Sequence, residues 1–90
     1  MGVGKTIQSL AIAYIYRHEW PLLIICPPTL KFNWQNEIRR WYQDVQPAEI
    51  QLVNSAKVAF RVGVKVIIVS YDLAWRMKDV FQEIKVVIAD

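Results

Sequence analysis

The chain has 90 residues, 11 Lys and Arg against 8 Asp and Glu for a net charge of +3, and 54% apolar residues. That balance excludes a disordered chain, and a single cysteine excludes both a disulfide scaffold and a cysteine-based zinc site. No apolar run approaches the roughly 18–20 residues of a membrane span, and the first residues lack the pattern of a secretory signal, so a globular chain of a reducing compartment is expected.

The first predicted element is a helix over residues 6 to about 17, where Ile7, Leu10, Ala11, Tyr14 and Ile15 recur on one stripe. Arg17 and His18 fall in its last turn, where positive charge suits the helix dipole. After Pro21, Leu22, Leu23, Ile24, Ile25 and Cys26 form a continuous apolar run, the pattern of a strand buried on both faces. Pro27, Pro28 and Thr29 end it, with Thr29 placed to cap a second helix on which Leu30, Trp34, Ile38, Trp41 and Tyr42 share a stripe. Residues 44–48 read as a loop, 49–53 as a short strand before a turn at Asn54 and Ser55, and 57–62 stay ambiguous. Residues 64–69 form a further strand with an apolar centre. Ser70 caps a third helical stripe made by Leu73, Met77, Val80, Phe81 and Ile84, and Val86, Val87, Ile88 and Ala89 run into Asp90. Apolar strands alternating with helices predict an α/β domain with a parallel sheet.

The chemistry lies at the two ends. Gly2-Val3-Gly4-Lys5-Thr6 opens directly into the first helix. Glycines let backbone N–H groups close around phosphate, and a helix N-terminus adds a positive dipole end. In a P-loop, Lys5 would reach the β- and γ-phosphates of a nucleotide and the Thr6 hydroxyl would ligate Mg²⁺. The remaining glycine of that pattern and its entry strand would fall before residue 1. The bland alternative is a flexible glycine-rich terminus capping a helix. Asp90, at the tip of an apolar strand, is either a metal-side carboxylate acting through water or a solvated strand end. Read together, the two ends suggest a segment running from one ATP motif to the edge of the next, cut at both ends, with Met1 an internal methionine.

Taken in order, these residues resemble the first ATPase lobe of Swi/Snf-type superfamily-two DNA translocases. Residues 1–8 resemble the end of motif I, residues 23–27 through Trp34 motif Ia, Val69-Ser70-Tyr71-Asp72 motif Ib, and residues 86–90 the start of motif II. Glu19-Trp20-Pro21-Leu22-Leu23 after Tyr14-Ile15-Tyr16-Arg17 is most similar to the HARP-type annealing helicases, which remodel stalled replication forks. The resemblance implies an incomplete RecA-like parallel sheet flanked by helices over residues 1–90. It also implies ATP and Mg²⁺ as cofactors, and ATP hydrolysis coupled to movement on duplex or branched DNA, with rewinding or fork remodelling as the outcome. By position, Gly2, Val3, Gly4, Lys5 and Thr6 would bind ATP, Thr6 and Asp90 the metal, and Lys5 and Asp90 would serve catalysis. The loops at Pro27, Thr29 and Ser70 would face DNA. Pro28 departs from the pattern by doubling the proline. The motif II glutamate, the later motifs and the second lobe with its arginine finger lie outside the chain, so the parent protein is expected to be the ATPase and these 90 residues alone inactive. The expected compartment is the nucleus in a eukaryote and the cytoplasm otherwise, with no membrane partner.

Two other functions stay open. One is another P-loop NTPase, although neither the arginine-rich lid of a small-molecule kinase nor the Asn-Lys-x-Asp stretch of a GTPase is visible. The other is a non-catalytic truncated lobe that only binds DNA or protein. The positive balance permits nucleic acid without demonstrating it. Lys31, Arg39, Arg40 and Arg61 are either solvated faces or phosphate contacts, and Thr29 and Ser70 can cap helices and meet a backbone at once. Trp34 and Trp41 are expected in the core, Cys26 as a small hydrophobe and His18 as a solvated helix end; Trp20 and Trp75 are open. Asp72 and Glu83 form no evident acid–base pair.

Overall fold

Runs of Val, Ile and Leu on both sides of the pleat make these strands, because branched side chains suit an extended backbone and both faces have helices to meet. The computed structural model of the chain describes residues 3–57 and 60–90. The described strands are β1 (Leu22–Ile25), β2 (Ile50–Leu52), β3 (Val66–Val69) and β4 (Val86–Ala89), and the helices are α1 (Val3–Ile15), α2 (Lys31–Trp41), α3 (Tyr71–Arg76) and α4 (Lys78–Phe81). The strands form one parallel sheet in the order β2-β3-β1-β4, with Leu22 opposite both Val66 and Val86. The expected α/β class with a parallel sheet is therefore the observed one.

Alternation along the strands divides the core. Leu22 and Ile24 of β1, with Val66 and Ile68 of β3, face α1 and α2, where Leu10, Ala13, Trp34, Ile38 and Tyr42 close over them. Leu23, Ile67 and Val69 face the other way, against Met77 and Phe81. β1 and β3 are buried on both sides as predicted; β4, at the sheet edge, alternates between half-buried and exposed.

The helices differ from expectation in several places. α1 begins at Val3 rather than Thr6 and ends at Ile15, so Arg17 and exposed His18 lie in a separate 3₁₀ turn, Arg17–Glu19. Its buried line runs through Leu10 and Ala13, not Ala11 and Ile15, because Ala13 is small enough for Trp20 to lie against the helix and donate its indole N–H to the Ala13 carbonyl at 3.0 Å. Trp20 thereby joins Tyr14 and Tyr42 in an aromatic group, with ring centroids 5.2 Å apart between Trp20 and Tyr42. Thr29 caps nothing: Pro28–Leu30 form a 3₁₀ turn that runs straight into α2, whose N-cap position is Leu30. Trp41 is 45% exposed, one step off the line of Trp34, Ile38 and Tyr42, and donates to Glu37 Oε2 at 2.8 Å. The third stripe is interrupted where Met77 leaves helical geometry (φ −106°, ψ 21°), which separates α3 from α4 and leaves Val80 exposed. Trp75 is 70% exposed, with the Lys78 ammonium 4.3 Å from its ring centroid. Asp72 pairs with Arg76 at 3.3 Å one turn on. Gly63 adopts φ +82°, a left-handed backbone that a side chain would strain, and so turns the chain into β3.

Entry into β2 carries a charge device. The Gln46 backbone N–H donates to Glu49 Oε1 at 2.8 Å, and the Lys65 ammonium lies 3.1 Å from Oε2. These two contacts, the backbone one foremost, hold the Glu49 carboxyl below its ordinary range. A carboxyl depressed on folding contributes stability that is present above its unfolded pKa and lost as pH falls through its lower folded value. Glu49→Gln is therefore expected to flatten the acid limb of a denaturant-stability profile taken from neutral pH down through the carboxylate range. Identical limbs in the two proteins would contradict that account.

Candidate functional site

The carboxyl ends of three adjacent strands put the candidate residues along one rim. β3 ends in Ser70, β1 in Cys26 and Pro27, and β4 in Asp90, and the ladder continues past the strands through Cys26 N–H to the Val69 carbonyl at 3.0 Å and Asp90 N–H to the Ile25 carbonyl at 2.8 Å. Brought to the same rim is the first turn of α1: Thr6 and Asp90 line one cavity of about 140 Å³ with Leu30, Asn33, Trp34 and Glu37. At about 30 Å³ per water, that volume holds a hydrated ion and part of a phosphate chain, not a whole nucleotide. A larger cavity, about 640 Å³, lies at the other end of the sheet, among Trp20, Pro21, Val64 and Lys85, which precede the strands.

Lys5 is exposed on the first turn of α1, next to Thr6. A Cβ built on Gly4 would meet nothing within 4 Å, so space is open beside that turn. Gly2 lies outside the described residues; Val3 is the first residue of α1. Pro27 and Thr29 are exposed at the end of β1. Ser70 is only 5% exposed and its hydroxyl accepts the Leu73 N–H at 3.4 Å, the helix cap expected of it; solvent is reached by its neighbour Tyr71.

Asp90 is held at several atoms. Besides the contact of its N–H with Ile25, its carbonyl accepts the Tyr71 hydroxyl, and its Oδ2 accepts the Trp34 indole N–H at 3.0 Å. Burial pushes the Cys26 thiol up; the nearby Asp90 carboxylate pushes it further, and Lys31 pulls it back. Lys31 is 7% exposed and donates to the Val53 carbonyl at 2.7 Å, so it is an internal tie between α2 and the end of β2 rather than a solvated or phosphate-facing charge. Arg61 donates to the Ala48 carbonyl at 3.3 Å, at the end of β2 away from the rim. Arg39 and Arg40 are exposed on α2, the latter with its guanidinium 5.3 Å from the Trp41 ring centroid.

Asn33, Glu37 and the Trp34 and Tyr71 ties to Asp90 were not expected from sequence. The one available signal was Trp34 itself, since a buried indole N–H needs an acceptor. Among the described residues, no three His, Cys, Asp or Glu side chains gather as metal ligands. Magnesium does not require such a cage: it keeps several waters and takes one or two protein oxygens with phosphate oxygens. A hydroxyl and a carboxylate on one small cavity suit it in kind and number.

A parallel sheet covered on both faces, with its polar residues gathered outside the carboxyl ends of the strands, defines an α/β lobe of the class that binds ligands at that edge. Over residues 1–90 the chain matches the SNF2-related domain, and it belongs to that family, in which this sheet and its helices are part of a RecA-like lobe. It is 43% identical to the mouse DNA annealing helicase and endonuclease ZRANB3 over 81% of its length. To the bovine SWI/SNF-related matrix-associated actin-dependent regulator of chromatin subfamily A-like protein 1 it is 42% identical over its whole length, and to the fruit-fly protein of that name 34% over 88%. The HARP-like subgroup expected above is the one these relatives represent. The chain spans 7% of the first of them and 10% of the other two.

Proposed function

We propose that residues 1–90 are part of the first ATPase lobe of a DNA translocase of the annealing-helicase kind, running from motif I to the start of motif II. The observation that carries the reading is the shared cavity of Thr6 and Asp90, two residues from opposite ends of the chain. With the end of its phosphate chain and the metal seated there, Mg·ATP would supply the hydrolysable phosphoanhydride bond. The chain's own part is electrostatic and positional. With the nucleotide bound, the Lys5 ammonium would neutralise phosphate charge, backbone N–H groups at Gly2, Val3 and Gly4 would cradle the phosphate tail, and the Thr6 and Asp90 oxygens would hold the metal. The loops at Pro27, Thr29 and Ser70, on adjacent strand ends, lie against the DNA backbone. The relatives' names support this assignment, since one is called a DNA annealing helicase. In a eukaryote the protein would work in the nucleus.

A complete turnover site also needs a residue to orient the attacking water and a cation to answer the developing charge, and among the described residues no Lys or Arg lines the cavity with Thr6 and Asp90. On this reading the 90 residues alone are expected to be inactive. The test is ATP turnover with and without duplex or forked DNA. The intact protein that carries this chain is expected to turn ATP over faster with DNA than without it. The isolated chain is expected to match a protein-free control. Turnover indifferent to DNA would overturn the translocase reading, and turnover by the isolated chain would overturn its inactivity.

A further inference from the structure

Trp34 does two jobs that a phenylalanine could not combine. Its ring is 4% exposed and belongs to the core cluster beneath α2, with Leu10 and Ile38. Its indole N–H, the one polar edge of that ring, leaves the core and meets Asp90 Oδ2 at 3.0 Å. A carboxylate at a half-exposed strand end otherwise turns about two side-chain torsions, and each oxygen can accept from several directions. One oxygen held by a group that is itself immobilised in the core selects one arrangement of the pair. Tyr71 holds the backbone of the same residue, its hydroxyl on the Asp90 carbonyl, and the Ile25 carbonyl takes the Asp90 N–H at 2.8 Å. Three elements, α2, α3 and β1, therefore meet at one acid. Two of them follow directly on the loops that bear Pro27, Thr29 and Ser70.

We propose that Trp34 is a positioning residue for the metal-side carboxylate: its indole N–H fixes Asp90 in the arrangement that lines the cavity shared with Thr6, with Tyr71 holding the backbone. The inference rests on the reading of Asp90 as the magnesium-side acid. Partners that orient a metal ligand in this way, when removed, typically weaken metal binding by about 10- to 100-fold.

The experiment uses the intact protein that carries this chain, with Mn²⁺ as the paramagnetic probe and ATP as the nucleotide. Trp34→Phe keeps most of the ring volume and deletes the N–H. It is expected to raise the Mn²⁺ dissociation constant in the presence of ATP by about 10- to 100-fold, read by electron paramagnetic resonance, while metal-free ATP affinity stays unchanged. A merely structural role would move both affinities together. Asp90→Ala separates the two claims: metal affinity that survives it sinks the assignment of Asp90. Affinity lost with Asp90→Ala but kept with Trp34→Phe sinks the positioning role alone. A second measurement guards against misfolding of Trp34→Phe. In fluorotryptophan-labelled protein, the Trp34 fluorine resonance is expected to shift on Asp90→Ala more than those of Trp20, Trp41 and Trp75. An unmoved Trp34 signal overturns the proposal.

Discussion

Lys5→Ala in the intact protein is expected to reduce DNA-stimulated ATP turnover by roughly 10²- to 10³-fold, the usual cost of removing one preorganised charge or donor from a site where negative charge develops. The side chain stands exposed on the first turn of α1 and contributes nothing to either core cluster. Its loss should leave the fold within about 0.5 kcal/mol of the parent, as for surface substitutions generally. The measurement therefore pairs turnover with a denaturation curve on the same sample. Turnover kept near the parent level by a protein with an unchanged midpoint would remove Lys5 from the phosphate site and leave the glycine-rich segment as a helix start.

The largest structural effect is expected at the centre of the sheet. Ile68 and Ile24 face each other across β3 and β1, both fully buried, with helices above them. Ile68→Ala leaves a cavity that close-packed neighbours fill only in part, at a cost of about 2–5 kcal/mol. At about 0.05–0.15 kcal/mol of stability per residue, such a loss is a large fraction of what holds a sheet of this size together. Its urea midpoint should fall steeply with an unchanged slope, and a change under about 1 kcal/mol would contradict the packing described for this face.

Much of the fold could be read before any coordinates, for local reasons. β1 and β3 are unbroken runs of branched apolar residues, and a run of that length has few other ways to bury itself. Ser70 was a cap by chemistry and is one in fact. Thr29 failed as a cap because two prolines before it tighten the chain into a 3₁₀ turn, which moves the start of α2 to Lys31. Lys31 and Trp41 were misjudged by their types. The lysine is buried because the Val53 carbonyl lies within its reach, and the tryptophan is exposed because it falls beside the buried line of its helix. Of the candidate site, the family resemblance implied that Thr6 and Asp90 meet at one metal, and the two residues do line one cavity, whereas the tie from Trp34 to Asp90 was not legible. Trp34 and Asp90 are 56 positions apart, and no periodicity reports a side-chain bond between a helix and a strand tip.

The two borders of the sheet have opposite prospects in solution. β2 is three residues long, with the Glu49 and Lys65 pair at its entry, and a border so brief and charged offers little to another molecule. β4 is longer, wholly apolar and only half covered, with one row of peptide groups unsatisfied by β1. Such a border is a template for self-association, with Lys85 and Asp90 as the charges at its two ends. Prepared alone at high concentration, the chain is therefore more exposed to strand-to-strand aggregation through β4 than through β2.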